Sequence, residues 1–145
     1  MYKKILIPTD GSPLSAAAIG QGVRLAKATG AKVMGMTVSV PFHTFALDPM
    51  MVADTKETYK KDSEDRAAAF LGAITSAAKT AGVPCEVKHV NAEHPWEAII
   101  DTAKKAGCDL IFMASHGRKG VSGLVLGSET HKVLTHTKIP VLVSR

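Results

Sequence analysis

The stretch of this chain richest in chemistry is Met113-Ala114-Ser115-His116-Gly117-Arg118-Lys119-Gly120-Val121-Ser122-Gly123-Leu124-Val125-Leu126-Gly127-Ser128, which joins an apolar run to a helix-forming segment. Its glycines permit positive φ and let backbone N–H groups approach a bulky anion. A helix opening at Ser128 aims unpaired amides and the positive end of its dipole at the same place. This is the chemistry of phosphate binding without a lysine-based motif. Ser128 is expected as the helix N-cap, a role in which its hydroxyl bonds the helix's own amides. Arg118 and Lys119 offer charge to a phosphate, or stand solvated in the loop. Glu129 suits the helix dipole but repels a neighbouring phosphate, unless it turns away or helps to hold a divalent cation.

A second position is Asp10, in Pro8-Thr9-Asp10-Gly11. A carboxylate at the carboxyl end of a strand suits ribose hydroxyls and repels phosphates, so it belongs at the opposite end of a nucleotide. Asp before Gly is also a common acceptor within a turn. His116 joins no Ser-His-Asp or Cys-His arrangement and is read as shaping the loop. His89, His94, His131 and His136 show no metal-ligand spacing. Cys85 and Cys108 form no Cys-x-x-Cys pair and read as buried thiols in a reducing compartment, without disulfide or zinc.

These residues need elements to hold them. Ile5–Ile7 reads as a buried strand, and Ser12-Pro13 opens a helix with Ala16, Ile19, Val23 and Ala26 on one face, closed by Gly30. Lys32–Val40 is the second strand, and Pro41 to about Asp54 is a loop whose Phe42, Phe45, Met50 and Met51 suggest a lid or a partner surface. A helix follows from about Thr55 to Ala81, with Ala67, Phe70, Leu71, Ile74, Ala77, Ala78 and Ala81 inward and a polar first half. Cys85–Val90 is the third strand. Pro95 opens a helix carrying Trp96, Ile99, Ile100 and Ala103 on one face, and Gly107 ends it. Leu110–Met113 is the fourth strand, about Ser128 to Thr135 the last helix, and Ile139–Val143 the fifth strand. Strands alternating with helices imply a doubly wound parallel α/β sheet with helices on both faces and a ligand crevice beyond the strands' carboxyl ends.

The chain has 145 residues, enough for one domain over 1–145, with 46% hydrophobic and 21% charged residues. Its net charge of +5 suits an anionic ligand, but the basic residues are scattered and aromatics make up 5%, which argues against nucleic acid. There is no apolar run long enough for a secretion signal or a membrane span, so the expected location is cytoplasmic.

Two segments carry a resemblance: Lys4-Ile5-Leu6-Ile7-Pro8-Thr9-Asp10-Gly11-Ser12, and Ser115-His116-Gly117, nine residues, Gly127-Ser128, then Pro140-Val141-Leu142-Val143 after a helix. Together they resemble the universal stress protein family over nearly the whole chain. The family's ATP-binding branch has Gly, two residues, Gly, nine residues, then Gly with Ser or Thr. Gly117, Gly127 and Ser128 match, and Ala114 replaces the first glycine. The resemblance implies strand order 3-2-1-4-5 in a Rossmann-like sheet of the adenine-nucleotide alpha-hydrolase type. It implies ATP, with or without Mg, at the reversal between strands one and four. Pro8, Thr9 and Asp10 would contact the adenosine, Val38 the adenine, and Met113 would line the floor. Ala114, Gly117, Arg118, Gly127, Ser128, Glu129 and Thr130 would surround the phosphates. It also implies a homodimer joining the edge strands Ile139–Val143 antiparallel. Three functions follow as expectations: a nucleotide-sensing regulatory protein that acts through conformation or a protein partner, a slow ATPase, or an adaptor dimer with a vestigial site.

Overall fold

The computed structural model describes residues 1–41, 52–117 and 126–145, with the side chains of 52–55 left aside. The elements run β1 (Lys4–Pro8), α1 (Pro13–Thr29), β2 (Lys32–Ser39), α2 (Val52–Ala81), β3 (Cys85–Asn91), α3 (Pro95–Lys105), β4 (Leu110–Ala114), α4 (Ser128–His136) and β5 (Val141–Ser144). They build one parallel sheet in the order β3-β2-β1-β4-β5.

Alternation along the buried strands explains the two layers. Ile5, Ile7, Leu110, Phe112 and Ala114 face α1 and α2, while Leu6, Ile111 and Met113 face α3 and α4. Each face buries its own apolar cluster, so the sheet is covered on both sides and its central strands carry no polar face. A Cβ on Gly35 would sit 2.8 Å from the Ile74 side chain, so a glycine is what lets α2 close on β2.

Local signals place the ends. Ser12 caps α1 through a bond from the Ser15 amide, and Gly30 ends it in the left-handed region at φ 71°. Four expectations shift. Ala16 is exposed and Ala18 buried, because the inward stripe of α1 runs through Ser15, Ala18, Ile19, Gly22, Val23 and Ala26. Helix α2 begins at Val52 rather than Thr55, since its solvated first half carries no apolar period to mark its start. Cys85 is half-buried, because β3 is an edge strand. The last strand is Val141–Ser144 rather than Ile139–Val143: Pro140 has no N–H to give a ladder, and the Ile139 amide donates to Thr137 Oγ1 in a turn. Among the described residues no helix is long and apolar enough to cross a membrane.

Candidate functional site

The order of the sheet places β1 and β4 side by side, paired at Ile5↔Leu110 and Leu6↔Ile111, although over a hundred residues separate them. The winding reverses between them, and their carboxyl ends open into a common crevice. There Gly117 lies directly against the Asp10 carboxylate, with no room for a side chain between them. An open hollow of ≈ 370 Å³ adjoins this contact, lined by Gly11, Ser12, Pro13, Leu14 and Gly117.

On the β1 side the turn is fully wired. The Thr9 amide donates to the Met36 carbonyl and the Thr9 carbonyl accepts from Thr37 Oγ1 at 2.7 Å. The Thr9 hydroxyl accepts from the Gly11 amide and pairs with Ser15 Oγ at 3.0 Å. Asp10 Oδ1 accepts from the Ser12 amide at 2.9 Å, so the carboxylate does shape the turn while its other oxygen faces Gly117. Gly11, at φ 77°, packs under the Phe70 ring. Pro8 and Thr9 are buried, and Val38 is half-buried at the end of β2.

On the β4 side the backbone does the work. The Gly127 amide donates to the Ser115 carbonyl at 2.8 Å, and a Cβ at 127 would stand 2.9 Å from that oxygen and 3.2 Å from His116 Cα. Met113 is buried in the α3 and α4 layer, and the Ala114 methyl in the α1 and α2 layer, so the residue that replaces the motif glycine spends its extra carbon in the core. His116 Nδ1 bonds Ser115 Oγ at 2.8 Å, while Nε2 is shielded and has no hydrogen-bond partner among the described residues.

The start of α4 corrects one expectation and resolves another. Gly127, not Ser128, is the N-cap, and Ser128 is the first helical residue, because Gly127 has the extended conformation that the cap requires (φ −60°, ψ 150°). The Ser128 side chain therefore has no capping role. Thr130 Oγ1 donates to the Ala114 carbonyl at 2.9 Å inside the protein. Glu129 turns away from the crevice: its Oε2 accepts from the Trp96 amide of α3 at 2.9 Å. Arg118, Lys119, Phe42, Phe45, Met50 and Met51 lie outside the described residues.

Burial pushes the Cys108 thiol up to about 11 and raises Cys85 as well, so neither is a ready thiolate. Among the described residues no group of three His, Cys, Asp or Glu is arranged to hold a metal.

Two contributors escaped the sequence reading, Thr37 and Tyr59, and so did the role of a third, Phe70. Thr37 carried a signal, as a polar residue inside an apolar strand that must find a buried partner. Tyr59, whose hydroxyl donates to the Val40 carbonyl at 2.6 Å, gave none, and Phe70, expected on the inward face of α2, gave no sign that it covers Gly11, since both act through the packing of α2 against distant turns.

The universal stress protein family model matches residues 1–145. The universal stress protein YxiE of Bacillus subtilis is 30% identical over 149 residues, spanning 100% of both chains. Among solved structures, hypothetical protein MJ0577 superposes with a TM-score of 0.82 at 26% identity, over 99% of this chain and 95% of that one. A universal stress protein in complex with cAMP gives a TM-score of 0.70 at 24% identity, over 99% and 97%, a likeness of fold.

Proposed function

This chain belongs to the universal stress protein family, and from that premise we propose that it is a cytoplasmic regulatory protein that binds ATP between β1 and β4 and answers through conformation or partner contacts. The observation that carries this is the meeting of Gly117 with Asp10: the described start of the glycine segment and the acidic turn share one crevice at the reversal of the sheet. Asp10 would take the ribose hydroxyls, with Pro8, Thr9 and Val38 bordering the adenosine and Met113 beneath it. With the Thr9 polar groups engaged internally, that residue contributes shape.

The phosphates would lie against Arg118 and the start of α4, with Gly117, in contact with Asp10, on their ribose side. Helix geometry leaves the amides of Ser128, Glu129 and Thr130 without intrahelical acceptors, which makes them the natural anion donors. A Mg ion arriving with ATP would be held chiefly by phosphate oxygens and water. The cAMP-bound relative supports an adenine nucleotide as a ligand this fold accommodates. A sensor is favoured over an ATPase because, among the described residues, Glu129, a carboxylate that could activate water beside the phosphates, is engaged with α3.

The reading includes a homodimer through β5. The two sheet edges differ in charge: β3 flanks its exposed Val87 with Glu86 and Lys88, which discourage pairing, whereas β5 presents Val141, an exposed Leu142 and Val143 with no charge among them. Sedimentation at micromolar concentration should show a dimer. For the ligand, acid extraction of the purified protein should release an adenine nucleotide, and calorimetric titration of stripped protein with ATP should show saturable binding. No uptake at millimolar ATP would favour the adaptor dimer, and phosphate release over hours would favour the enzyme.

A further inference from the structure

Glu129 stands in the first turn of α4, beside the amides assigned to phosphate, yet its carboxylate is spent on a different helix. That helix needs it. The N-cap of α3 is His94, whose side chain makes no capping bond, and Pro95 at the next position has no N–H. The Glu97 amide reaches the His94 carbonyl, which leaves the Trp96 amide for Glu129 Oε2 at 2.9 Å. The carboxylate also sits at the positive end of the α3 dipole. Trp96 continues the contact along α4, because its ring meets that of His136 in the last turn, with centroids 4.5 Å apart. On its other side α4 is tied to β4 by the Thr130–Ala114 and Gly127–Ser115 hydrogen bonds.

We infer that Glu129 is a positioning residue: by holding the Trp96 amide it brackets the N-terminus of α4 between β4 and α3, keeps the amides of 128–130 aimed at the crevice, and parks its own charge away from the anion. The identity of that anion rests on the nucleotide reading above, but the bracket does not.

Glu129→Gln keeps an acceptor for Trp96 and removes the charge, whereas Glu129→Ala removes both. The bracket predicts that Glu129→Ala binds ATP about tenfold more weakly than Glu129→Gln, with both variants folded at the assay temperature and Glu129→Ala melting somewhat lower. If Glu129 acted only by its charge, the two variants would bind equally and more tightly than wild type, and that result would overturn the inference. Should Glu129→Ala not fold, Glu129→Leu, uncharged like Gln and of similar bulk but with no acceptor for Trp96, replaces it in the comparison. Hydrogen exchange without ligand separates the two proposals. The amides of Gly127 and His131, bonded to the Ser115 and Gly127 carbonyls, should exchange faster in Glu129→Ala than in Glu129→Gln. Equal exchange overturns the bracket, while a wild-type protein that takes up no ATP overturns only the nucleotide reading.

Discussion

The turn after β1 holds its shape by satisfying its polar groups, whereas Gly117 and Gly127, the described glycines between β4 and α4, meet their neighbours by leaving side chains out. In the first, Thr9, Asp10, Ser12, Ser15 and Thr37 exchange hydrogen bonds around a buried corner. In the second, Gly117 lies against the Asp10 side chain, and Gly127 meets the Ser115 and His116 backbone at distances that crowd any side chain. The difference teaches where a substitution will be felt. Damage to the β1 turn leaves buried polar groups unpaired and is paid in stability, while damage to the glycine contacts displaces the surface offered to a ligand.

The largest expected effect is at Gly127. A valine there would press its Cβ on backbone atoms that cannot rotate aside, so Gly127→Val should weaken ATP binding by about 100-fold or more while circular dichroism stays native. Unchanged affinity would remove the β4 half of the contrast. Next comes Gly11→Ala, which sets a side chain at φ 77° and into the Phe70 ring. It should cost about 2–3 kcal/mol in denaturant unfolding. Adding Phe70→Ala should show favourable coupling, since one of the two clashes is then relieved. Simple additivity would mean that the ring is not the obstacle.

Thr37→Val should cost about 1–2 kcal/mol, because the hydroxyl is removed and the Thr9 carbonyl loses its donor. A variant as stable as wild type would show that the β1 turn does not depend on that bond. The smallest effect lies at the opposite end of the sheet and serves as a control. Burial of Asp109 would raise its pKa, but the Lys4, Lys3 and Asp109 amides and the Lys3 charge outweigh it and hold the carboxyl below its ordinary 3.8. Its contribution is therefore complete above that value and fades as pH falls through the lower folded pKa. The stability difference between wild type and Asp109→Asn should be largest near neutrality and shrink in strong acid. A difference independent of pH would contradict the assignment.

Much of this was legible residue by residue. Ser12-Pro13 announced α1 and Gly30 its end, because capping is a matter of adjacent atoms. Leu110–Met113 could be read as a doubly buried strand from its composition. The same locality misled at two places. Ser128 looked like a cap because serine often is one, but the cap falls where the backbone is extended, at Gly127. Ile139 is expected in the fifth strand, but Pro140 beside it cannot donate to a ladder.

By itself the amino-acid sequence determined the kinds of element, their succession, and the presence of a glycine-rich segment and an acidic turn, since periodicity, capping and turn chemistry act within a few residues. Strand order was implied only by family resemblance, as no local period says which buried strand pairs with which. The tertiary structure alone decided that Gly117 meets Asp10, that the Ala114 methyl is absorbed by the core, and that Glu129 serves α3. Each depends on segments tens of residues apart or more, brought together when both faces of the sheet are buried. The direction in which a side chain finally points is set by the partner it finds there.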